Sequence, residues 1–223
     1  MIRTLDRLAG LIAPHSCLVC NREGSLLCGD CRVTAVITKR ATCYRCNAIS
    51  ESGKTCNSCR SSSVLSGVIV ASHYDGQVKE LIGRLKFQQT VAAAEVLAEL
   101  LTPLLDSAQF DLVAAVPAAP SRYRSRGYNQ AELIAKAVAR RLGLPYSRPL
   151  VRLGNARQLG QSRQSRLEQM SQAFEAKSTP LIQDARILLV DDVLTTGATL
   201  NACASELKKM RAKGVWGAVA AKH

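Results

Sequence analysis

Two adjacent carboxylates and a short hydroxyl-rich loop are the residues of this chain best suited to chemistry. Asp191 and Asp192 follow the apolar run 187–190, and the loop 195–199 reads Thr-Thr-Gly-Ala-Thr. Threonine hydroxyls and the backbone N–H groups at the start of a following helix donate hydrogen bonds to a phosphate. Gly197 allows the backbone to approach that phosphate closely. Because carboxylates accept hydrogen bonds from hydroxyls, the combination predicts a sugar phosphate as the ligand.

Eight of the nine cysteines fall into four Cys-X-X-Cys pairs. Each pair aims two thiolates at one point, and zinc takes four in tetrahedral geometry, so the eight predict two closed, structural zinc sites. Short spacers favour sequential use of the pairs, while a cross-braced arrangement and a disulfide framework are the alternatives. The ninth cysteine, Cys203, is expected in the core. The paired cysteines are Cys17, Cys20, Cys28, Cys31, Cys43, Cys46, Cys56 and Cys59.

A basic segment occupies the middle of the chain. The formal net charge is +13, and residues 121–170 carry eleven Arg and Lys against two Glu. Arg122, Arg124 and Arg126 follow a predicted strand, and arginine forks match phosphate oxygens well. A basic surface suits pyrophosphate, nucleic acid or both, although an aromatic content of 4% gives little support for base stacking.

Apolar runs alternate with helical patterns along the rest of the chain. This alternation predicts a mostly parallel α/β sheet with helices on both faces, and such sheets bind ligands at the carboxyl ends of their strands. The predicted strands are 67–74 (an edge strand or a hairpin), 111–116, a short one near Leu150 and Val151, 187–190 and 215–220. The predicted helices are 78–87, 91–105, 128–142 and 198–210, and 161–173 is predicted to be a partly helical loop.

Length and composition set the domain organisation. The 223 residues suffice for one α/β domain and a small appendage, so we expect a zinc module over residues 1–62 and an α/β domain over 63–223. Residues 1–13 read as a short amphipathic helix that is too weakly apolar for a signal peptide. No apolar run reaches the roughly 18 residues of a membrane span, which predicts no membrane insertion and a cytoplasmic location.

The carboxylate pair and its loop resemble the motif that binds phosphoribosyl pyrophosphate (PRPP) in type I phosphoribosyltransferases. In that family the loop holds the 5-phosphate and the acidic pair holds the ribose 2- and 3-hydroxyls. Receiver domains also end a buried strand in Asp-Asp, but they have no need of the loop. The resemblance implies a catalytic role for Asp191 and Asp192. The PRPP-binding residues that it implies are Asp191, Asp192, Leu194, Thr195, Thr196, Gly197, Ala198, Thr199, Arg126, Arg163 and Arg166.

The whole chain resembles the ComF family, which is tied to natural competence and DNA utilisation in bacteria. The resemblance is carried by the four cysteine pairs, the tripeptide Leu85-Lys86-Phe87, the run 126–131 (Arg-Gly-Tyr-Asn-Gln-Ala) and the PRPP motif, in this order. It implies two structural Zn²⁺ ions and a Mg²⁺ ion bound with PRPP. Contact with single-stranded DNA is predicted from the basic segment together with the zinc module, and this module is the candidate docking site for a competence helicase or another DNA-processing protein.

One stretch departs from the family pattern. Arg163 and Arg166 are kept, but the usual apolar, acidic and Asn positions are Gln161, Ser165 and Gln169. This stretch corresponds to the flexible loop that closes over PRPP in active transferases. PRPP binding therefore does not by itself imply catalytic turnover in this chain.

Two functions follow from these observations. The first is a PRPP-binding competence protein that contacts single-stranded DNA. The alternative is an active phosphoribosyltransferase of nucleotide salvage, in which a nucleobase or related acceptor attacks carbon 1 of PRPP and displaces pyrophosphate. The aromatic residue of the last strand, Trp216, is expected to pack in the core rather than to bind a base.

Overall fold

The computed structural model describes residues 15–36, 41–153, 173–177 and 179–223. The predicted helix at 1–13 and most of the predicted loop at 161–173, including Arg163 and Arg166, lie outside the described residues.

Five strands form one parallel sheet, as the alternation of strands and helices predicted. Every pairing in this sheet is parallel. A separate antiparallel pair joins β4 (Leu150–Arg152) to β5 (Phe174–Ala176). In spatial order the strands of the main sheet are β1 (Gly67–His73), β7 (Gly214–Lys222), β6 (Arg186–Leu194), β2 (Leu112–Ala115) and β3 (Tyr146–Ser147).

Seven α-helices are described in this part of the chain. The predicted helix at 91–105 ends earlier, at Leu101, and a 3-10 turn at Thr102–Leu104 follows, because Pro103 cannot continue the α-helical hydrogen bonds. The helices are α1 (Gly29–Ala35), α2 (Asn57–Arg60), α3 (Gly76–Phe87), α4 (Ala92–Leu101), α5 (Pro120–Arg126), α6 (Gln130–Leu142) and α7 (Ala198–Lys209).

The two faces of the sheet carry two separate cores. Along β6, Leu188 and Val190 face a core shared with α3, α4 and α6, whereas Ile187 and Leu189 face a core shared with α7. Successive strand residues point to opposite faces, so a strand buried on both sides must be apolar throughout. Cys203 of α7 is fully buried, as predicted, and lies in the second core.

The cysteine-rich segment contributes to both cores. Leu26 and Leu27 lie in the core with α3, α4 and α6, and Tyr44 lies in the core with α7. The side chain of Ser72 in β1 donates a hydrogen bond to the carbonyl of Ala35 at the end of α1, 2.6 Å away. The segment therefore packs on both faces of the sheet around its edge strand β1.

Strand β6 is longer than the predicted 187–190. It continues through Asp191 and Asp192 to Leu194, because β7 runs equally far and pairs Leu194 with Lys222. The two carboxylates are thus held in a paired strand rather than in a loop. Within the described residues, no helix is long and apolar enough to cross a membrane.

Candidate functional site

The two carboxylates point to opposite faces of the carboxyl end of β6. Asp192 faces α3, where its Oδ2 lies 2.7 Å from the Nζ of Lys86. Asp191 faces α7 and β4, where Cys203 and Arg152 are its electrostatic neighbours. The Oδ1 of Asp191 accepts a hydrogen bond from the backbone N–H of Asp192 at 2.8 Å. One strand end therefore presents acceptor groups on both of its sides.

The ionised form of Asp191 is disfavoured in the folded protein. Burial and the neighbouring charge of Asp192 raise the pKa of Asp191 from 3.8 to about 8, although Lys86 and Arg152 pull it down. A carboxyl kept from full hydration favours any ligand whose hydroxyls donate hydrogen bonds to it. A pKa shift of this kind is common at functional sites.

The hydroxyl-rich loop connects β6 to α7 at the same edge of the sheet. Thr195 and Thr196 are exposed, and Thr199 lies in the first turn of α7. Gly197 is buried and adopts a left-handed φ of 77°. The first N–H groups of α7 have no acceptor within the helix, and that of Ala198 donates to the Oγ1 of Thr196 at 3.3 Å. A helix start of this kind suits an anion.

Lys86 was not among the predicted site residues. It sits in the second-last position of α3, and its side chain is 20% exposed where it meets Asp192. The Leu85-Lys86-Phe87 tripeptide was the available signal, but nothing in the sequence showed that α3 ends beside β6. Lys86 supplies a positive charge beside the carboxylate of Asp192.

Arg126 lies beside Phe87, the last residue of α3. Its guanidinium lies 5.4 Å from the ring centre of Phe87 and donates a hydrogen bond to the Oε1 of Gln130 at 3.1 Å. Arg126 ends α5, a helix that is absent from the sequence prediction. Pro120 starts this helix at a position that favours proline, and Gly127 ends it with a φ of 78°.

The next two residues of the same run are structural. Tyr128 donates a hydrogen bond through its hydroxyl to the carbonyl of Leu85, and Asn129 donates one through Nδ2 to the carbonyl of Val116 at 2.8 Å. These bonds fasten the end of α3 and the end of β2 to the start of α6. The run at 126–131 therefore positions Lys86 and Arg126 at the carboxyl edge.

A basic cavity of about 500 Å³ opens at the carboxyl end of β2. It lies between α5, the start of α6 and the β4–β5 pair. In the described part of the chain, Arg124, Arg152 and Lys177 line it without an ion-pair partner, whereas Arg148 is paired with Glu132. Arg152 stacks 5.2 Å over the ring of Phe174 and also attracts Asp191, so it connects the cavity to the carboxylate pair. Exposed Tyr123 adds an aromatic face.

The eight paired cysteines form two clusters in the predicted sequential order. Cys17, Cys20, Cys28 and Cys31 make the first cluster, and Cys43, Cys46, Cys56 and Cys59 make the second. Within each cluster all four sulfurs lie within 4.8 Å of one another, and the cross-braced alternative does not occur. A tetrahedral zinc with bonds of about 2.3 Å places its sulfurs roughly 3.8 Å apart, so both clusters fit a metal ion.

Backbone hydrogen bonds favour a thiolate at Cys17 in the first cluster. The N–H of Cys28 donates to the Sγ of Cys17 at 3.5 Å. Backbone N–H groups of Cys20, Cys28 and Val19 lower the pKa of the Cys17 thiol to about 6. Thiolates are the form in which cysteine binds metal, so these hydrogen bonds support a metal centre.

Comparisons with known proteins agree with this architecture. Residues 129–223 match the family model of the phosphoribosyl transferase domain. The chain is 30% identical over 206 residues to competence protein ComFC of Streptococcus pneumoniae, across 90% of this chain and 89% of that protein. It is 29% identical over 217 residues to competence protein F of Haemophilus influenzae, across 85% of this chain and 95% of that protein.

A solved structure, glutamine PRPP amidotransferase from B. subtilis complexed with ADP and GMP, aligns with a TM-score of 0.42 at 17% identity. The alignment covers 59% of this chain and 27% of that chain, so this protein matches about a quarter of the length of that enzyme.

Proposed function

Because the chain belongs to the ComF family of competence proteins, we propose that it binds PRPP and contacts single-stranded DNA in the cytoplasm during DNA uptake. The observation that carries the proposal is the meeting of Asp191, Asp192 and Lys86 with the loop 195–199 at one edge of the sheet. Carboxylates for hydroxyls and a helix start for a phosphate are the two recognition elements that a ribose 5-phosphate group requires.

Each part of PRPP has a matching group in this arrangement. The loop and the first turn of α7 receive the 5-phosphate, and Asp191 and Asp192 accept hydrogen bonds from the ribose hydroxyls. Arg126, together with Arg163 and Arg166 outside the described residues, neutralises the pyrophosphate. Mg²⁺ binds phosphate oxygens while keeping several of its waters, so it enters as a complex with PRPP.

Isothermal titration calorimetry with PRPP and Mg²⁺ tests this proposal. We expect saturable binding of PRPP by the full-length protein and weaker binding of ribose 5-phosphate, which lacks the pyrophosphate. Arg140→Ala is the matched control, because Arg140 pairs with Glu95 on an exposed helix surface and should leave the affinity unchanged. Absence of PRPP binding by the folded protein at millimolar concentration would refute the proposal.

We assign two structural zinc ions to the clusters, within a module over residues 1–62 that precedes the transferase-like domain over 63–223. The exposed apolar side chains of this module, Val19, Val33 and Ile49, are 51%, 73% and 70% exposed and support docking of a helicase or another DNA-processing protein. Charged substitutions at Val33 and Ile49 that left such a complex intact would count against this docking role.

The basic cavity at the carboxyl end of β2 supports the contact with DNA. Arg124, Arg152 and Lys177, which have no ion-pair partner among the described residues, provide positive charge for a phosphate backbone, and Tyr123 offers a face on which a base can stack. The cavity volume of about 500 Å³ is comparable to that of small-molecule sites, so one or two nucleotides of an extended strand fit it better than a duplex does.

The double variant Arg124→Ala, Lys177→Ala should bind DNA more weakly than the wild type, and its affinity should fall less steeply with salt concentration. Each phosphate contact in a single strand contributes about −0.7 to the slope of log K against log salt, so losing two should reduce the slope by about 1.4. Fluorescence anisotropy with a labelled oligothymidylate over a salt series measures this slope. Arg140→Ala is again the control, and a double variant with the wild-type slope would show that DNA does not use this cavity.

The alternative function is phosphoribosyl transfer to a nucleobase or related acceptor in nucleotide salvage. It is favoured by the position of the same cavity, which adjoins Asp191 through Arg152 and could admit an acceptor. Positioned cations that stabilise the departing pyrophosphate would supply the electrostatic part of catalysis. Pyrophosphate release from PRPP, assayed with each nucleobase and with single-stranded DNA, separates the two functions: release with any acceptor supports transfer, and binding without release excludes it.

A further inference from the structure

The second cysteine cluster touches the hydroxyl-rich loop directly. Tyr44, between Cys43 and Cys46, is 4% exposed and lies in the core that contains Leu194. A Cβ atom added to Gly197 would lie 2.6 Å from the Cε2 of Tyr44, which is closer than carbon atoms approach. The absence of a side chain at position 197 is therefore required by the tyrosine ring as well as by the left-handed backbone.

A closed ring of hydrogen bonds fixes the tyrosine hydroxyl. The Tyr44 hydroxyl lies 2.6 Å from the Oγ of Ser63, Ser63 donates to the Oδ1 of Asn201 at 3.1 Å, and the Nδ2 of Asn201 donates back to Tyr44 at 2.5 Å. Asn201 belongs to the first turns of α7, and both its backbone N–H and its Nδ2 donate to the carbonyl of Gly197. These hydrogen bonds thus connect the second cluster, the segment after it at Ser63 and the loop 195–199.

The first cysteine cluster has the same local backbone but a different contact. Each cluster begins with a Cys-X-X-Cys-Asn turn that ends at Asn21 or Asn47. This Asn has a φ of 59°, and its backbone N–H donates to the backbone carbonyl of the first cysteine. Leu18 occupies the position that corresponds to Tyr44, and it packs against the opposite core, away from the loop. Of the two clusters, the second alone therefore contacts the loop, and it does so through Tyr44, the second residue of its turn.

We propose that Tyr44 is a positioning residue for the phosphate loop, and that the metal of the second cluster holds it in place. This inference rests on the proposed binding of PRPP by the loop. A metal bound to Cys43 and Cys46 clamps the backbone on both sides of Tyr44. The clamped ring and its hydrogen bonds then hold Gly197 and the start of α7 in the conformation that receives the 5-phosphate. A loop ordered before binding loses less conformational freedom when the ligand binds.

Calorimetry on three variants tests this role. Tyr44→Ala should weaken binding of PRPP and of ribose 5-phosphate by about 10-fold, the loss expected when a recognition loop must be ordered on binding. Tyr44→Phe keeps the ring but breaks the hydrogen bonds, so we expect a loss of about threefold. Binding of pyrophosphate alone, which does not use the loop, should not change. Leu18→Ala, the matched control, should lower thermal stability while leaving the affinity for PRPP within about twofold.

Cys46→Ser provides a second approach through an exposed ligand of the second cluster. We expect this variant to lose one of two zinc ions and to show the same selective loss of PRPP and ribose 5-phosphate affinity as Tyr44→Ala. Circular dichroism establishes that each variant is folded at the titration temperature. If folded Tyr44→Ala and Cys46→Ser bind PRPP as the wild type does, the positioning role is wrong while the proposed function stands. If the wild type itself does not bind PRPP, the proposed function fails instead.

Discussion

Above pH 8, where Asp191 is ionised in the folded protein, the substitution Asp191→Asn is expected to weaken PRPP binding by about 10- to 150-fold. It removes a hydrogen bond between a charged carboxylate and a ribose hydroxyl worth about 1.5–3 kcal/mol. The same substitution should stabilise the free protein. Burial and the charge of Asp192 raise the pKa of Asp191 to about 8, which means that the folded protein resists ionisation of this group. An amide removes that cost and can still accept the N–H of Asp192 at its Oδ1.

The pH dependence of this gain gives a direct check. Asp191 ionises near pH 3.8 when unfolded and near pH 8 when folded, so the wild type loses stability as the pH rises between these values. The variant lacks this loss, so the difference in stability between the variant and the wild type should grow up to pH 8 and then level off. We expect its melting temperature to exceed the wild-type value at pH 8, by about 2–4 °C for each 1 kcal/mol of destabilisation that the substitution removes in a domain of this size. Equal melting temperatures across the pH range would show that the folded protein does not disfavour ionised Asp191.

Removing the metal ions should have the largest effect on stability. A structural zinc contributes about 10–16 kcal/mol of binding free energy in small zinc domains, which is comparable to the entire stability of about 5–15 kcal/mol of a typical protein. Residues of the cysteine-rich segment fill both cores of the sheet, so the loss should spread beyond the segment. A strong zinc chelator is expected to abolish the cooperative thermal transition, as measured by circular dichroism.

Zinc content and matched cysteine variants complete this second prediction. The wild type should contain two zinc ions per chain, and Cys20→Ser and Cys46→Ser, which alter exposed ligands of different clusters, should each contain one. Cys203→Ala should retain both ions, because Cys203 is buried in α7 and belongs to neither cluster. A chain that keeps its melting temperature after complete zinc removal would contradict the structural role of the clusters.

The fold class and the cysteine pairing were predictable because their signals are local. Alternating apolar runs and helical patterns gave the parallel sheet, and the short spacers gave the sequential clusters. The burial of Cys203 was also confirmed. The extent of β6 was underestimated, because a strand through Asp191 and Asp192 is stable only where β7 pairs with it.

Residues whose role depends on tertiary contacts were not predicted from the sequence. Lys86 and Asp192 are more than one hundred positions apart, and only the end of α3 against β6 brings them together. Tyr44 stands between two cysteines with no local sign that it would meet Gly197. The helix α5 was missed because its arginines and serines resemble a solvated loop, although Pro120 and Gly127 mark its two ends.

A crystal structure of the full-length protein with PRPP and Mg²⁺ tests the central claim most directly. We predict the 5-phosphate at loop 195–199 and the first turn of α7, with the ribose hydroxyls within hydrogen-bond distance of Asp191 and Asp192. Tyr44 should keep its contact with Gly197 in that complex. A PRPP molecule bound elsewhere, or a 5-phosphate that does not touch the loop, would contradict the account.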